Sequence, residues 1–348
     1  MRSITESLAC FLATIIWLHT PTSLAMPDAT STDWQHFDNA AAAIAPGVSF
    51  LVADITQGQC KPVHQLNAES SLGVGSSFKL YILGELGNQI RDGRFRSNLP
   101  VQKELGPWEQ PVAIEQGFKS IPGGPLLFVP DGTVFTVRYL AEQMIQRSDN
   151  TATDHLLFLL GRENVEQRMK LMQHHDPGLN TPLFATREFA MMKLLDTDKQ
   201  IETYFAATTD QRRQILDNEH RSYDALRDVA EEQAVPIRIE NVEWFADRFD
   251  MCRALVALYN LGQDPRTRPV AEILTLEDRL GIDREQFPYV GFKGGSEIGV
   301  LAGNWLLERN DGRRFAMTMA FNDPSKAIDQ SAVVTAIQNA VGILYATP

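Results

Sequence analysis

Ser76-Ser77-Phe78-Lys79-Leu80-Tyr81-Ile82-Leu83-Gly84-Glu85-Leu86-Gly87-Asn88-Gln89-Ile90 is the stretch that decides the fold. Phe78, Leu80, Tyr81, Ile82, Leu83, Leu86 and Ile90 leave no polar stripe, so residues 77–90 are expected to form a helix buried inside a domain. At its start the Ser76 hydroxyl and the Lys79 ammonium stand three residues apart and share one helix face. Serine is a weak nucleophile until a base takes its proton. Lysine acts as that base only where burial or neighbouring positive charge favours the neutral amine. The helix N-terminus adds partial positive charge and a free N–H where an oxyanion would develop. Taken alone, the pattern is better described as a solvated lysine one turn from a capping serine.

Outward from this helix, residues 32–44 read as a helix after the cap Ser31, and Gly47–Asp54 as a strand. Thr56-Gln57-Gly58-Gln59 turns the chain into a second strand at 60–66, which Pro62 confines to a sheet edge. Residues 99–136 carry Pro and Gly with weak periodicity and read as surface loops. Helices follow at Val137–Gln146 and at 151–160. Residues 196–240 are charged and helical in pattern with poor apolar continuity, as an insertion or lid would be, and 244–261 read as an amphipathic helix. A short strand at 289–292 delivers Lys293 to its end. Strands at 300–308 and 314–321 are joined by the turn Asn310-Asp311-Gly312, and Asp323-Pro324-Ser325 opens a last helix to about Tyr345. With helices in the middle of the chain, these terminal elements predict that the terminal strands form one antiparallel sheet: an α/β fold of the α+β kind.

Residues 1–25 pair Arg2 and an apolar run with Ser23-Leu24-Ala25, the small-x-small pattern of a cleaved leader, which places residues 26–348 in one exported domain, periplasmic or secreted. The apolar run is roughly a dozen residues, against the ~20 that span a bilayer, so no stable membrane insertion is expected after cleavage. Cys60 and Cys252 then remain, a number compatible with one disulfide, although spacing does not say whether they meet. The formal charge of −12 argues against nucleic acid as a partner. His64 and His174-His175 lack a spaced carboxylate or thiolate, so no metal or other cofactor is expected.

Two further segments join the Ser-Lys pair. Ser148-Asp149-Asn150 lies where one helix ends and the next begins, presenting a hydroxyl and a carboxamide at a junction; as a plain alternative it is an N-cap. Lys293-Gly294-Gly295 follows a strand, where two glycines let a ligand approach the backbone while the ammonium holds a carboxylate; the plain alternative is a bulge. In this order, about seventy residues from first to second, the three segments resemble the motifs Ser-x-x-Lys, Ser-Asp-Asn and Lys-Thr-Gly of the penicillin-recognising serine enzymes, and class A beta-lactamases in particular.

The resemblance implies a beta-lactamase/transpeptidase-like fold of two lobes, one all-helical and one a sheet with flanking helices, and a site between them with Ser76 as nucleophile, Lys79 as base and Ser148 as proton relay to the leaving nitrogen. It places Asn150 on the substrate's side-chain amide, Lys293 on its carboxylate, Gly295 at the strand edge, and the backbone N–H groups of Ser76 and Ser296 in an oxyanion hole. Two departures stand out. Gly294 occupies the Thr or Ser position of the third motif, and the deacylating Glu-x-x-Leu-Asn segment is missing. Glu188 falls at a comparable distance from Ser148 and is the first candidate for that base, or else a surface or salt-bridged residue; Glu243 is the next carboxylate. The reading is a monomeric serine hydrolase acting on beta-lactams through an acyl-enzyme with weak turnover. A peptidoglycan D-Ala-D-Ala carboxypeptidase, an esterase, and a binding protein for beta-lactams or cell-wall peptides without turnover are the alternatives.

Overall fold

Alternating side chains in five strands build the sheet that carries the site. The strands are β1 (Gly47–Asp54), β2 (Lys61–Leu66), β3 (Tyr289–Glu297), β4 (Val300–Glu308) and β5 (Arg314–Asn322), paired antiparallel in the order β2-β1-β5-β4-β3. The computed structural model describes residues 31–121, 123–218 and 233–347; the leader expected at 1–25 and part of the 196–240 segment lie outside them. Pro62 sits on edge strand β2, beside a break in the β1–β2 register, where its missing N–H costs no inner ladder bond.

One face of the sheet is large and apolar. Phe50, Val52, Leu301, Trp305, Leu307, Phe315, Met317, Met319 and Phe321 pack with α1 (Ser31–Ala42) and α11 (Gln330–Ala346) into one core. The alternate positions are small, with Ala53, Ala302, Ala316 and Ala320 lying in the core shared with the helical lobe. They let α9 (Arg248–Gly262) lie close on the sheet, and α9 in turn packs on α2 (Lys79–Arg91). Leu80, Ile82, Leu83 and Leu86 of α2 are fully buried, as the absence of a polar stripe requires, each contributing roughly 1.5–3 kcal/mol. Around α2 stand α3 (Val137–Gln146), α4 (Asn150–Leu160) and α5 (Arg162–Leu171). Then follow α6 (Thr186–Leu194), α7 (Asp198–Ala206) and α8 (Thr209–Asp217), with α10 (Pro269–Leu274) leading back toward the sheet. Residues 99–136 are loops and 3-10 turns, save a small pair of strands, Pro111–Ala113 with Val134–Thr136.

Three boundaries differ from the sequence reading. β3 continues through Lys293, Gly294 and Gly295, which pair with Asn304, Gly303 and Ala302, so Lys293 lies within the strand and not at its end. Helix α9 starts at Arg248 because Asp247 caps it, accepting from Asp250 N at 2.6 Å while Asp250 accepts from Asp247 N at 3.0 Å; Phe245–Ala246 pairs as strand instead. Helix α11 starts at Gln330, capped by Asp329, because Asp323 is used in a turn on Ser325 N at 2.8 Å. Cys60 and Cys252 do meet, and their disulfide ties the β1–β2 turn to α9.

Candidate active site

Residues 73–78 enter α2 through a 3-10 turn, Gly75–Phe78, that is tied down on every side. Asn322 at the end of β5 brackets Gly73, accepting from its N–H at 2.7 Å and donating to its carbonyl at 3.0 Å. Val74 N donates to Trp244 O at 2.8 Å, and Gly75 N donates to Glu243 Oε2 at 3.2 Å. Phe78 stacks on Trp244 at 4.0 Å, and Phe189 stacks on Trp244 at 4.3 Å. Ser77 is fully buried and its hydroxyl accepts from Asn304 Nδ2 at 2.9 Å, so it faces the sheet. Ser76, beside it, is half-buried.

Lys79 is fully buried and makes three hydrogen bonds: to Ser148 O at 2.7 Å, Asn150 Oδ1 at 2.7 Å and Ser148 Oγ at 3.2 Å. None of these three goes to Ser76, and a general base in a free enzyme need not yet hold the proton it will take. Burial brings the Lys79 ammonium down to about 7, against the pull of the Asp149 and Asp154 carboxylates. Ser148 adopts φ 56°, a left-handed conformation that a non-glycine residue holds only where its surroundings fix it. Asp149 does the fixing. It caps α4 through Ala152 N at 2.8 Å and accepts from Leu126 N at 3.0 Å, with burial raising its carboxyl above the usual range. Asp154, one turn further along α4, caps α6 through Thr186 N at 2.7 Å and Arg187 N at 3.0 Å, and burial pushes it up to about 7.

Lys293 reaches Ser148 from the sheet, donating to its Oγ at 3.0 Å and to Gly294 O at 2.6 Å. Two buried lysines thus converge on one serine hydroxyl. Burial depresses the Lys293 ammonium well below an ordinary lysine, and the charges of Lys79 and Arg279 add to this, against Glu277. A neutral Lys79 can accept the Ser148 proton while Lys293 donates to the same oxygen, which is the polarity a relay requires. Gly295 is required by close approach: a Cβ there would lie 2.6 Å from Ser76 N and 2.7 Å from Ser77 N, and would strike Val74 O. A Cβ on Gly75 would sit 2.9 Å from Ser296 N. Strand and turn therefore press together where the Ser76 and Ser296 N–H groups are expected to hold an oxyanion. Gly294 has its own cause, since a Cβ there would meet the Phe292 ring at 2.8 Å.

The structure brings together Ser76, Lys79, Ser148, Asn150, Lys293, Gly295 and Ser296. It does not bring Glu188 to them as a base. Glu188 Oε1 accepts from Arg162 at 2.6 Å and Oε2 accepts from Arg162 and Ala185 N, both at 2.8 Å, so both oxygens are engaged in a buried ion pair at the start of α6. This is the salt-bridged alternative, with Arg162 as the partner. Glu243 lies behind the nucleophile turn, its Oε2 held by Gly75 N and by Trp244 N at 2.7 Å. Asn304, which holds both Ser77 Oγ and Lys293 O, was not singled out in the sequence; on an alternating strand nothing distinguishes it except its polarity on a buried face. Among the described residues no group of His, Cys, Asp and Glu is placed to hold a metal ion, and no helix is long and apolar enough to cross a membrane.

The fold has solved relatives at low identity. A beta-lactamase from Sphaerobacter thermophilus is 18% identical over 90% of this chain and 96% of its own, with a TM-score of 0.57. PBP-A is 13% identical over 92% and 98%, also at 0.57; a variant of it is known as an acyl-enzyme with penicillin G. The extended-spectrum beta-lactamase TLA-1 is 10% identical over 91% and 99%, again at 0.57. No match was found among curated protein sequences. Residues 35–347 match the family model described as the Beta-lactamase enzyme family, and it is to this family that the chain belongs.

Proposed function

We propose that the protein is an exported serine hydrolase that opens beta-lactams by forming an acyl-enzyme on Ser76, and that it releases the acyl group slowly. The observation carrying this reading is the convergence of Lys79 and Lys293 on Ser148 Oγ, beside a nucleophile turn against which Gly295 is pressed. In this reading neutral Lys79 takes the Ser76 proton as the hydroxyl attacks the lactam carbonyl. The Ser76 and Ser296 N–H groups hold the oxyanion, and the proton passes through Ser148 to the leaving nitrogen. Lys293 faces the substrate carboxylate and Asn150 its side-chain amide.

Slow release is favoured by the position of Glu188. Hydrolysis of an acyl-serine needs a base beside a water, and both oxygens of this carboxylate are engaged by Arg162 and Ala185. The same feature keeps the carboxypeptidase, esterase and non-turnover readings within one experiment: a chromogenic cephalosporin, a D-Ala-D-Ala peptide and an aryl ester assayed side by side. The Cys60–Cys252 bridge supports export to an oxidising compartment. Mixing with a fluorescent penicillin is expected to label the wild type and Ser77→Ala, and to leave Ser76→Ala unlabelled, with the adduct visible by intact-protein mass spectrometry. Undiminished labelling of Ser76→Ala would overturn the assignment.

A further inference from the structure

Behind the nucleophile turn lies a cluster that this mechanism does not use. Glu297 ends β3 immediately after Ser296, Glu243 holds the turn through Gly75 N, and Lys193 reaches both from α6. Lys193 Nζ is bonded to Glu297 Oε1 and lies 4.0 Å from Glu243 Oε1. Glu243 Oε2 accepts from Gly75 N and Trp244 N, whereas buried Oε1 has no N–H or hydroxyl donor among the described residues. Lys193 Nζ stands between this oxygen and the Glu297 carboxyl, which places the two acids side by side as electrostatic neighbours. A carboxyl can donate to a carboxylate only when it carries a proton.

We propose that Glu297 and Glu243 share one proton, braced by Lys193, and that this clamp is a positioning device holding the Ser76 turn against Ser296 so that both oxyanion-hole N–H groups keep their spacing. The inference rests on the assignment of those two N–H groups given above. With the proton in place, Glu297 donates to Glu243 Oε1 and accepts from Lys193, and both Glu243 oxygens are satisfied. Without it, two carboxylates, Glu243 buried and Glu297 part-buried, face each other across one ammonium, and the contact between Gly75 and Ser296 N loosens. Burial and the charge of Glu243 hold Glu297 protonated well above the usual carboxylate range. The charged groups packed around the pair are Lys193 from α6 and Arg238, whose guanidinium lies on Met192 O and Lys193 O. The Phe189 ring covers Lys193 at 4.6 Å.

The test is the limiting rate of Ser76 acylation by a neutral aryl ester, which has no carboxylate for Lys293 to hold, followed against pH in the whole protein. The wild type is expected to lose rate on an alkaline limb. Glu297→Gln, which cannot ionise, is expected to keep a neutral-pH rate within a few-fold and to lack that limb. Lys193→Met, which removes the charge opposing the proton, is expected to move the limb to higher pH. Infrared difference spectra between the wild type and Glu297→Gln, in which the Asp149 and Asp154 carboxyls cancel, read the proton directly: a protonated-carboxyl band, shifted in deuterated water, should be present in the wild type alone and fade along the same limb. An unchanged limb in Glu297→Gln, or no such band in the wild type, overturns the clamp. If the wild type is not acylated at Ser76, the site assignment fails and the positioning role falls with it, while the band alone decides whether the pair shares a proton.

Discussion

Acylation of Ser76 is expected to follow the protonation of Lys79, with a midpoint near neutrality. Burial takes this amine from the 10.5 of an ordinary lysine to about 7, a bias of about 5 kcal/mol toward the neutral form at 1.36 kcal/mol per pH unit. At pH 7 roughly half the molecules then hold a base ready for the Ser76 proton, where an unperturbed lysine would offer about one in three thousand. The neutral form is needed and protonation removes it, so the rate should fall about tenfold per pH unit on the acid side of the midpoint and stay level above it until the alkaline limb of the Glu297–Glu243 pair begins. Asp149 is the larger of the two charges that oppose this shift. Asp149→Asn keeps a residue that can cap α4 while removing the charge, so it should move the midpoint below that of the wild type. The assay is stopped-flow acylation by a penicillin across pH in both proteins. A rate that continues to climb toward pH 10, or an Asp149→Asn midpoint above the wild-type value, would refute the assignment of Lys79 as the base.

Other perturbations test the frame around the site. Replacing Cys60 and Cys252 by serine frees a segment of 192 residues. Chain entropy puts the loss at roughly 5 kcal/mol, at the top of the usual range, and urea unfolding measures it; the pH midpoint of acylation should not move. Glu188→Gln leaves Arg162 buried without its partner, so a loss of about 3–5 kcal/mol is expected, with little specific change in deacylation. Deacylation abolished in a stably folded Glu188→Gln protein would restore Glu188 as the base. Gly295→Ala drives a methyl against Ser76 N and Val74 O, and should lower the acylation rate by about 10²–10³, the value of one oxyanion donor, with Lys79 still titrating near 7. Full activity in that variant would mean that the strand and the turn are not held as close as Gly295 implies.

Much of the fold was legible because its signals are local. The apolar circumference of residues 77–90, the Asn310-Asp311-Gly312 turn and the position of Pro62 each report on a few neighbouring side chains, and each sits where that reading puts it. Errors fell where a choice between two acids or two pairings depends on distant partners. Asp323-Pro324-Ser325 has the composition of a helix start, yet Asp323 turns onto Ser325 and Asp329 becomes the cap. Residues 244–246 fit a helix by apolarity, but Leu72–Gly73, far away in the chain, recruits Phe245–Ala246 into a strand pair. Lys293 does not end β3, because β4 supplies partners through Glu297.

The site divides along the same line. Ser76 and Lys79 are one helical turn apart, and Ser148 and Asn150 share one junction, so a short motif carries much of the placement of each pair. Glu188 shows the limit. Its neighbour in sequence is Arg187, but its partner in space is Arg162, which emerges from Gly161 at φ 85° and reaches across to the start of α6. Whether a carboxylate acts as a base or as half of an ion pair depends on which cation the fold delivers to it, and no spacing within 186–190 encodes that. Lys193, Glu243 and Glu297 make the same point in reverse. Each is an ordinary charged residue in the sequence, and only the crossing of α6, β3 and the segment before α9 brings the three together behind the nucleophile, with Lys193 and Glu243 buried and Glu297 part-buried. Enclosing two acids and one base in so little volume is costly unless a proton makes up the difference in charge. The fold has accepted that cost at the one place where the turn bearing Ser76 has to be held in register with the strand bearing Ser296.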